Sequence, residues 1–309
     1  MTLVLAVTGP KTIWLLTDRR LSRPRQSPQD DARKVMSLET SDGVALLGYA
    51  GLGATGSGTE PSDWMSAVLR TRNFPLELAL AALAEAMEKQ FPCHMVQMPG
   101  AGGPIHNIIV PAFLEGEPRL YTIDLEFAPD RKSHTFRCAR QLVGATTKPP
   151  RIGLAGSGGI YLLQQKDKKW IRRLLRVVNA NDRGQLSPDA VADHLAGLNY
   201  EVFRRLSDKP VPLDVRDTVG PRCVVAWRHK TRGGGNEFYT GTTRDANSPC
   251  LPTLAGAFDV EALVALPHVA QMFERSKARL AGQPVEEPTE DEINAELSRL
   301  PDKPDENLR

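Results

Sequence analysis

The chain has 309 residues, of which 41% are hydrophobic and 25% charged, and its net charge is +2. That suits a packed core and implies no general attraction to nucleic acid or anionic membrane. No apolar run reaches the ~20 residues of a membrane span, MTLVLAVTGPK lacks the basic start of a secretory signal, and four scattered cysteines (Cys93, Cys138, Cys223, Cys250) suit a reduced cytoplasm.

In chain order, residues 2–8 and 12–18 read as strands around a Gly9-Pro10 turn. The polar stretch 19–33 reads as a loop, and 34–38 and 44–50 as a hairpin turning at Ser41-Asp42-Gly43. Helices fit 62–71 and 75–90. Strands fit 106–114 and 119–126, with shorter ones near 135–143 and 152–155. One long helix is expected over 157–178. Another is expected over 187–206, opening on Ser187-Pro188-Asp189. A last hairpin covers 222–229 and 236–240 around three glycines. This order predicts two antiparallel sheets packed face to face with a helix pair outside each. The composition shifts after 240. The expected division is therefore a domain over 2–240 and an extension over 241–309, with a helix at 259–281 and an acidic, Pro-rich, disordered tail.

Three residues suggest chemistry. A threonine becomes a nucleophile only if a base takes its proton, and a free α-amine on the same residue, with a pKa near ~8, can do so. Thr2 stands behind Met1, and aminopeptidases trim Met ahead of small residues. Asp18 and Lys34 follow at equal intervals and supply a carboxylate and an ammonium to orient and tune that amine. Other patterns carry less. Gly51-x-Gly53-x-x-Gly56 matches a dinucleotide fingerprint, but no βαβ unit surrounds it. The six histidines show no metal-ligand spacing, so neither metal nor cofactor is expected.

The blocks TLVLAVTGPKTIWLLTDRRLS, RKV, GYAGLGA and AGSGG together resemble the proteasome β-subunit and the bacterial HslV-type peptidase, which are N-terminal nucleophile hydrolases. The resemblance covers roughly 2–240 and is strongest at the start. It implies an α+β fold, a four-layer αββα sandwich, and a threonine endopeptidase working inside a ring-forming homo-oligomer. It further implies a peptide or unfolded-protein substrate and a possible separate ATPase unfoldase, since the chain has no P-loop.

By the same resemblance, Thr2 is the nucleophile and Lys34 the active-site lysine paired with Asp18. Arg20 is a buried structural arginine, and Ser157 a serine near the nucleophile. Asp217 is a second acid, with Asp208 and Asp214 as competitors. The oxyanion glycine is Gly51 by the Ala-Gly-Leu pattern, which is favoured, or Gly48 by counting from Lys34. Leu21, Ala32 and Met36, with Leu46 or Tyr49, would line an apolar specificity pocket. The backbone of Ser22 would pair with an extended substrate. Two other functions stay open: a catalytically silent assembly subunit that keeps Met1, and an amidase acting on a small substrate.

Overall fold

The computed structural model describes residues 2–21, 29–51, 59–96, 106–127, 134–140, 149–208, 218–246 and 251–260. The chain opens with strands β1 (Val4–Thr8) and β2 (Thr12–Asp18), then β3 (Val35–Glu39) and β4 (Gly43–Ala50). Helices α1 (Pro61–Leu69) and α2 (Leu76–Val96) follow, then β5 (Asn107–Leu114), β6 (Glu117–Phe127), β7 (His134–Arg140) and β8 (Arg151–Ala155). Next come α3 (Gly156–Gln164), α4 (Lys169–Asp182) and α5 (Pro188–Asp208). Strands β9 (Arg222–His229), β10 (Gly233–Thr240), β11 (Thr243–Arg244), β12 (Thr253–Ala255) and β13 (Phe258–Asp259) close the described chain.

These strands form two sheets. One is six-stranded and antiparallel in the order β11-β10-β9-β2-β1-β8. The other is seven-stranded in the order β13-β12-β3-β4-β5-β6-β7. The fold is α+β. The expectation of purely antiparallel sheets is corrected at one pair, because β12 runs parallel to β3, with Thr253 opposite Ser37. A two-residue hairpin cannot make such a pair; the chain must cross over to reach it.

Every residue of β1 and β2 is buried, which explains why VLAVT and TIWLLTD are continuous apolar runs rather than alternating ones. Alternate side chains serve different cores. Val4, Ala6, Ile13 and Leu15 share one apolar cluster with Val35, Leu46, Ile109 and Phe113 of the other sheet. Leu5, Val7, Trp14 and Leu16 share another with Leu174 and Val178 of α4 and Leu195 and Val202 of α5. Met36, Leu38, Leu47 and Tyr49 share a third with Trp64 and Met65 of α1 and Leu80 and Leu83 of α2.

The single helix expected over 157–178 is two helices. The backbone between them turns left-handed at Lys168, with φ 30°, and the Trp170 indole donates to the Leu162 carbonyl at the end of α3 (3.2 Å). A lysine-rich stretch carries no glycine or proline to announce such a break. Pro111 sits inside central strand β5, and the β4–β5 pairing lapses beside it: Ala45 faces Ala112, and the next recorded pair is Gly48 with Ile109.

The sheets also continue past the boundary expected at 240. Strands β12 and β13 extend the seven-stranded sheet, and Leu254 is buried in the core with α1 and α2. Asp259 accepts from Ser66 (2.9 Å) and Arg70 (3.0 Å), stapling β13 to α1. Asp259 is therefore strand where the 259–281 helix was expected to start; residues 261–281 lie outside the described residues. Leu254→Ala should lower stability by about 2–5 kcal/mol, the usual cost of emptying a buried leucine site. A urea midpoint unchanged from the parent chain would show that this strand adds nothing to the core.

Candidate active site

Asp18 ends β2, and its carboxylate is fully buried. The antiparallel β1–β2 register brings it beside the chain start, where the Asp18 amide donates to the Leu3 carbonyl (3.1 Å). One carboxylate oxygen accepts the Leu3 amide (2.8 Å) and the Lys34 ammonium (3.3 Å). The other accepts the amides of Arg20 (3.0 Å) and Gly220 (3.1 Å). Four donors from four separate places in the chain compensate the cost of burying this charge.

Lys34 immediately precedes β3 and is 3% exposed. Its ammonium donates to Thr2 Oγ1 (2.8 Å), Asp18 Oδ1 (3.3 Å) and the Arg20 carbonyl (2.5 Å), which engages all three of its protons. Burial pushes its pKa below the ordinary 10.5; the Asp18 charge and hydrogen bond push it back up, and burial wins. Arg20 is held by Asp30 through two hydrogen bonds (2.6 and 2.8 Å), so the residue whose amide and carbonyl serve Asp18 and Lys34 is itself anchored.

Thr2 is 1% exposed. Its carbonyl accepts the Gly158 amide from the first turn of α3 (3.2 Å). The fit requires glycine at 156, where φ is +74° and an added Cβ would lie 2.0 Å from the Thr2 carbonyl oxygen. Ser157, between these glycines, shares a 2.7 Å hydrogen bond with Thr218. The structure thus brings Thr2, Asp18, Lys34 and Ser157 to one place.

Gly48 lies inside β4, paired with Val35 on one side and Ile109 on the other. Gly51 stands one residue past the strand, free of ladder pairing. Leu21 pairs with Gln29 through both backbone groups (2.7 and 3.0 Å), and the Ala32 amide donates to the Arg19 carbonyl (3.0 Å). Met36 and Tyr49 face the core with α1 and α2, whereas Leu46 faces the core between the sheets. Ser22 and Asp217, with Asp214, lie outside the described residues, as does the side chain of Asp208.

Sequence reasoning missed the Arg20 carbonyl, the Gly220 amide and Thr218. Backbone donors and acceptors leave no residue-type signal, and Thr218 meets Ser157 only through the tertiary fold. Cys223, opposite Asp18 across the β2–β9 pair, is no rival nucleophile, because burial drives its thiol pKa far up. Among the described residues, no three His, Cys, Asp or Glu side chains converge as a metal site, and no helix is long and apolar enough to cross a membrane.

No family model and no curated protein matches the chain. It is similar to solved structures of Anbu proteins. The Anbu (Gly-1) mutant from Hyphomicrobium sp. strain MC1 is 12% identical over 94% of this chain and 100% of that one, with a TM-score of 0.42. The Anbu complex from Pseudomonas aeruginosa, described as a helical assembly, is 14% identical over 94% and 99%, with a TM-score of 0.46. Anbu (ancestral β-subunit) from Yersinia bercovieri is 13% identical over 73% and 80%, with a TM-score of 0.40. The expectation of a proteasome β-subunit or HslV-type peptidase is corrected: no family model matches the chain, and these neighbours are Anbu proteins. At such values the likeness assigns neither activity nor partners.

The lowered pKa of Lys34 has a sign that can be measured. The unfolded chain holds the lysine proton up to 10.5 and the folded chain releases it earlier. Folding stability should therefore rise with pH across that interval. In Lys34→Met this rise should vanish. Equal slopes for the two chains in denaturation at several pH values would mean that the buried ammonium titrates as an exposed one does.

Proposed function

We propose that the chain is a threonine-nucleophile amide hydrolase that cleaves peptide bonds through Thr2 once the bond to Met1 has been cut. The observation that carries this is the 2.8 Å contact from the Lys34 ammonium to Thr2 Oγ1, with Asp18 beside it and all three side chains at most 3% exposed. A fold rarely buries a charged lysine–aspartate pair against a hydroxyl without a use for it, and such pairs concentrate at functional sites.

The chemistry follows from the donors. Lys34 orients the Thr2 hydroxyl, and its charge lowers the pKa of a nearby amine, so the amine is neutral near pH 7. As Oγ1 attacks the substrate carbonyl carbon, the α-amine accepts the hydroxyl proton. The developing oxyanion needs a backbone N–H, a contribution worth roughly 3 kcal/mol. We assign it to Gly51, because Gly48 is enclosed in the sheet. Collapse of the tetrahedral intermediate breaks the C–N bond, and the leaving amine takes the proton back, leaving an ester on Thr2. Water then attacks the ester, the α-amine takes a proton from that water and returns it to Oγ1, and the acid product departs. Ser157 lies in the turn of α3 whose Gly158 amide holds the Thr2 carbonyl, and its hydroxyl is bonded to Thr218. The three apolar clusters support reading the architecture as a four-layer αββα sandwich with this site at one end of the inter-sheet core.

Thr2→Ala should reduce cleavage of an apolar fluorogenic peptide by on the order of 10⁴-fold, and Thr2→Ser should retain part of the rate. Mass spectrometry of the N-terminus should find Met1 removed in the active chain. Retention of Met1 with no turnover would identify a silent subunit. Turnover of small amides but not peptides would identify an amidase. Parental activity in Thr2→Ala would sink the assignment.

A further inference from the structure

Beside Gly51 lies a buried polar pair that the reaction above does not use. The Tyr49 hydroxyl and His106 Nδ1 are 2.6 Å apart, and their residues are 7% and 3% exposed. Strand pairing puts them there. The β4–β5 register ends with Ala50 opposite Asn107, so the next position sets Gly51 opposite His106. A Cβ added at Gly51 would lie 2.7 Å from the Tyr49 hydroxyl oxygen and 2.9 Å from His106 Nδ1. The pair is therefore packed directly on the Gly51 backbone, in the space that a side chain would fill. Tyr49 also reaches the lysine, because its amide donates to the Lys34 carbonyl (3.0 Å). One residue thus holds the backbone of Lys34 through its own amide and braces Gly51 through its hydroxyl.

We infer that Tyr49 and His106 are a positioning pair that fixes the Gly51 amide toward the reacting carbonyl during cleavage at Thr2. The inference rests on the reading of Thr2 as nucleophile and of Gly51 as oxyanion donor. Gly51 follows the last ladder pair of β4 and needs another restraint to keep its N–H aimed. A hydrogen-bonded pair of ring groups supplies one, since buried rings have few rotamers and a hydrogen bond between them fixes both. The Lys34 ammonium is engaged by Thr2, Asp18 and Arg20, so the contribution assigned to the pair passes through Gly51.

The test compares the parent chain, bearing a free Thr2 amine, with Tyr49→Phe and His106→Asn. Two measurements are made: kcat and KM on an apolar fluorogenic peptide, and affinity for a peptide aldehyde and for the matching alcohol. The aldehyde forms a hemiacetal with Thr2 Oγ1, placing its former carbonyl oxygen in the oxyanion position; the alcohol binds without that bond. Tyr49→Phe keeps the ring and removes the hydroxyl. It should lower kcat and aldehyde affinity by roughly tenfold, less than the loss of an oxyanion donor itself, while KM and alcohol affinity stay within about twofold. His106→Asn should show the same pattern and carries the test if the phenylalanine variant does not fold. Equal losses for aldehyde and alcohol, or no loss of either, would overturn the positioning role. A parent chain that neither turns over peptide nor prefers the aldehyde would instead overturn the nucleophile reading, and the pair's role with it.

Discussion

The carboxylate of Asp18 is the point on which the site hangs. It has no exposure to water, so each lone pair left empty would cost free energy that solvent could not return. The chain fills its sites with the Leu3, Arg20 and Gly220 amides and the Lys34 ammonium. Each donor is thereby fixed. The Leu3 amide sets where Thr2 stands, and the ammonium sets which way the Thr2 hydroxyl points. Arg20 supplies a carbonyl to the same ammonium. A neutral residue at position 18 would leave Lys34 with one partner fewer and the three amides with a weaker acceptor.

The surrounding fold makes that charge tolerable. Both sheets contribute to one apolar cluster, and each shares another with helices, so the strands around the site are enclosed on both faces. Enclosure lowers the local dielectric, which strengthens the contacts among Asp18, Lys34 and Thr2 and raises the cost of any misalignment. The same burial pushes the lysine pKa down while the carboxylate pulls it back. Stability and the protonation of Lys34 draw on one balance here, so changes at the site should affect both.

Much of the scaffold was legible because its signals are local. Continuous apolar runs mark β1 and β2, and Ser187-Pro188-Asp189 marks the start of α5, where the Ser187 hydroxyl accepts the Ala190 amide (3.3 Å). The grouping of Thr2, Asp18 and Lys34, seen in their hydrogen bonds, was suggested by residue type and spacing only together with the family resemblance, which also pointed to the glycine-rich block that follows β8. What escaped depends on distant strand pairing. The parallel addition of β12 to β3 pairs Thr253 with Ser37, far apart in the chain, and its three-residue length gives no periodicity to read. His106 carries no metal-like or triad-like spacing, and its place beside Gly51 follows only from the β4–β5 register. Met36 and Tyr49 were expected to line a pocket, yet both side chains also belong to the core with α1 and α2. An apolar pattern alone cannot separate those two uses.

The closing of the Asp18 cage has a consequence for synthesis. Gly220 supplies its fourth donor from 202 residues further along the chain. Contacts of such separation form late, because the intervening loop must first be closed against its entropy. On a ribosome, a nascent chain that has emerged only through β8 has Thr2, Asp18 and Lys34 but an unfilled carboxylate, and it lacks the Gly158 amide that holds Thr2. The parts of the site made first are completed by parts made much later. The cage around Thr2, at the beginning of the chain, is thus kept from closing until the chain through Gly220 has been made.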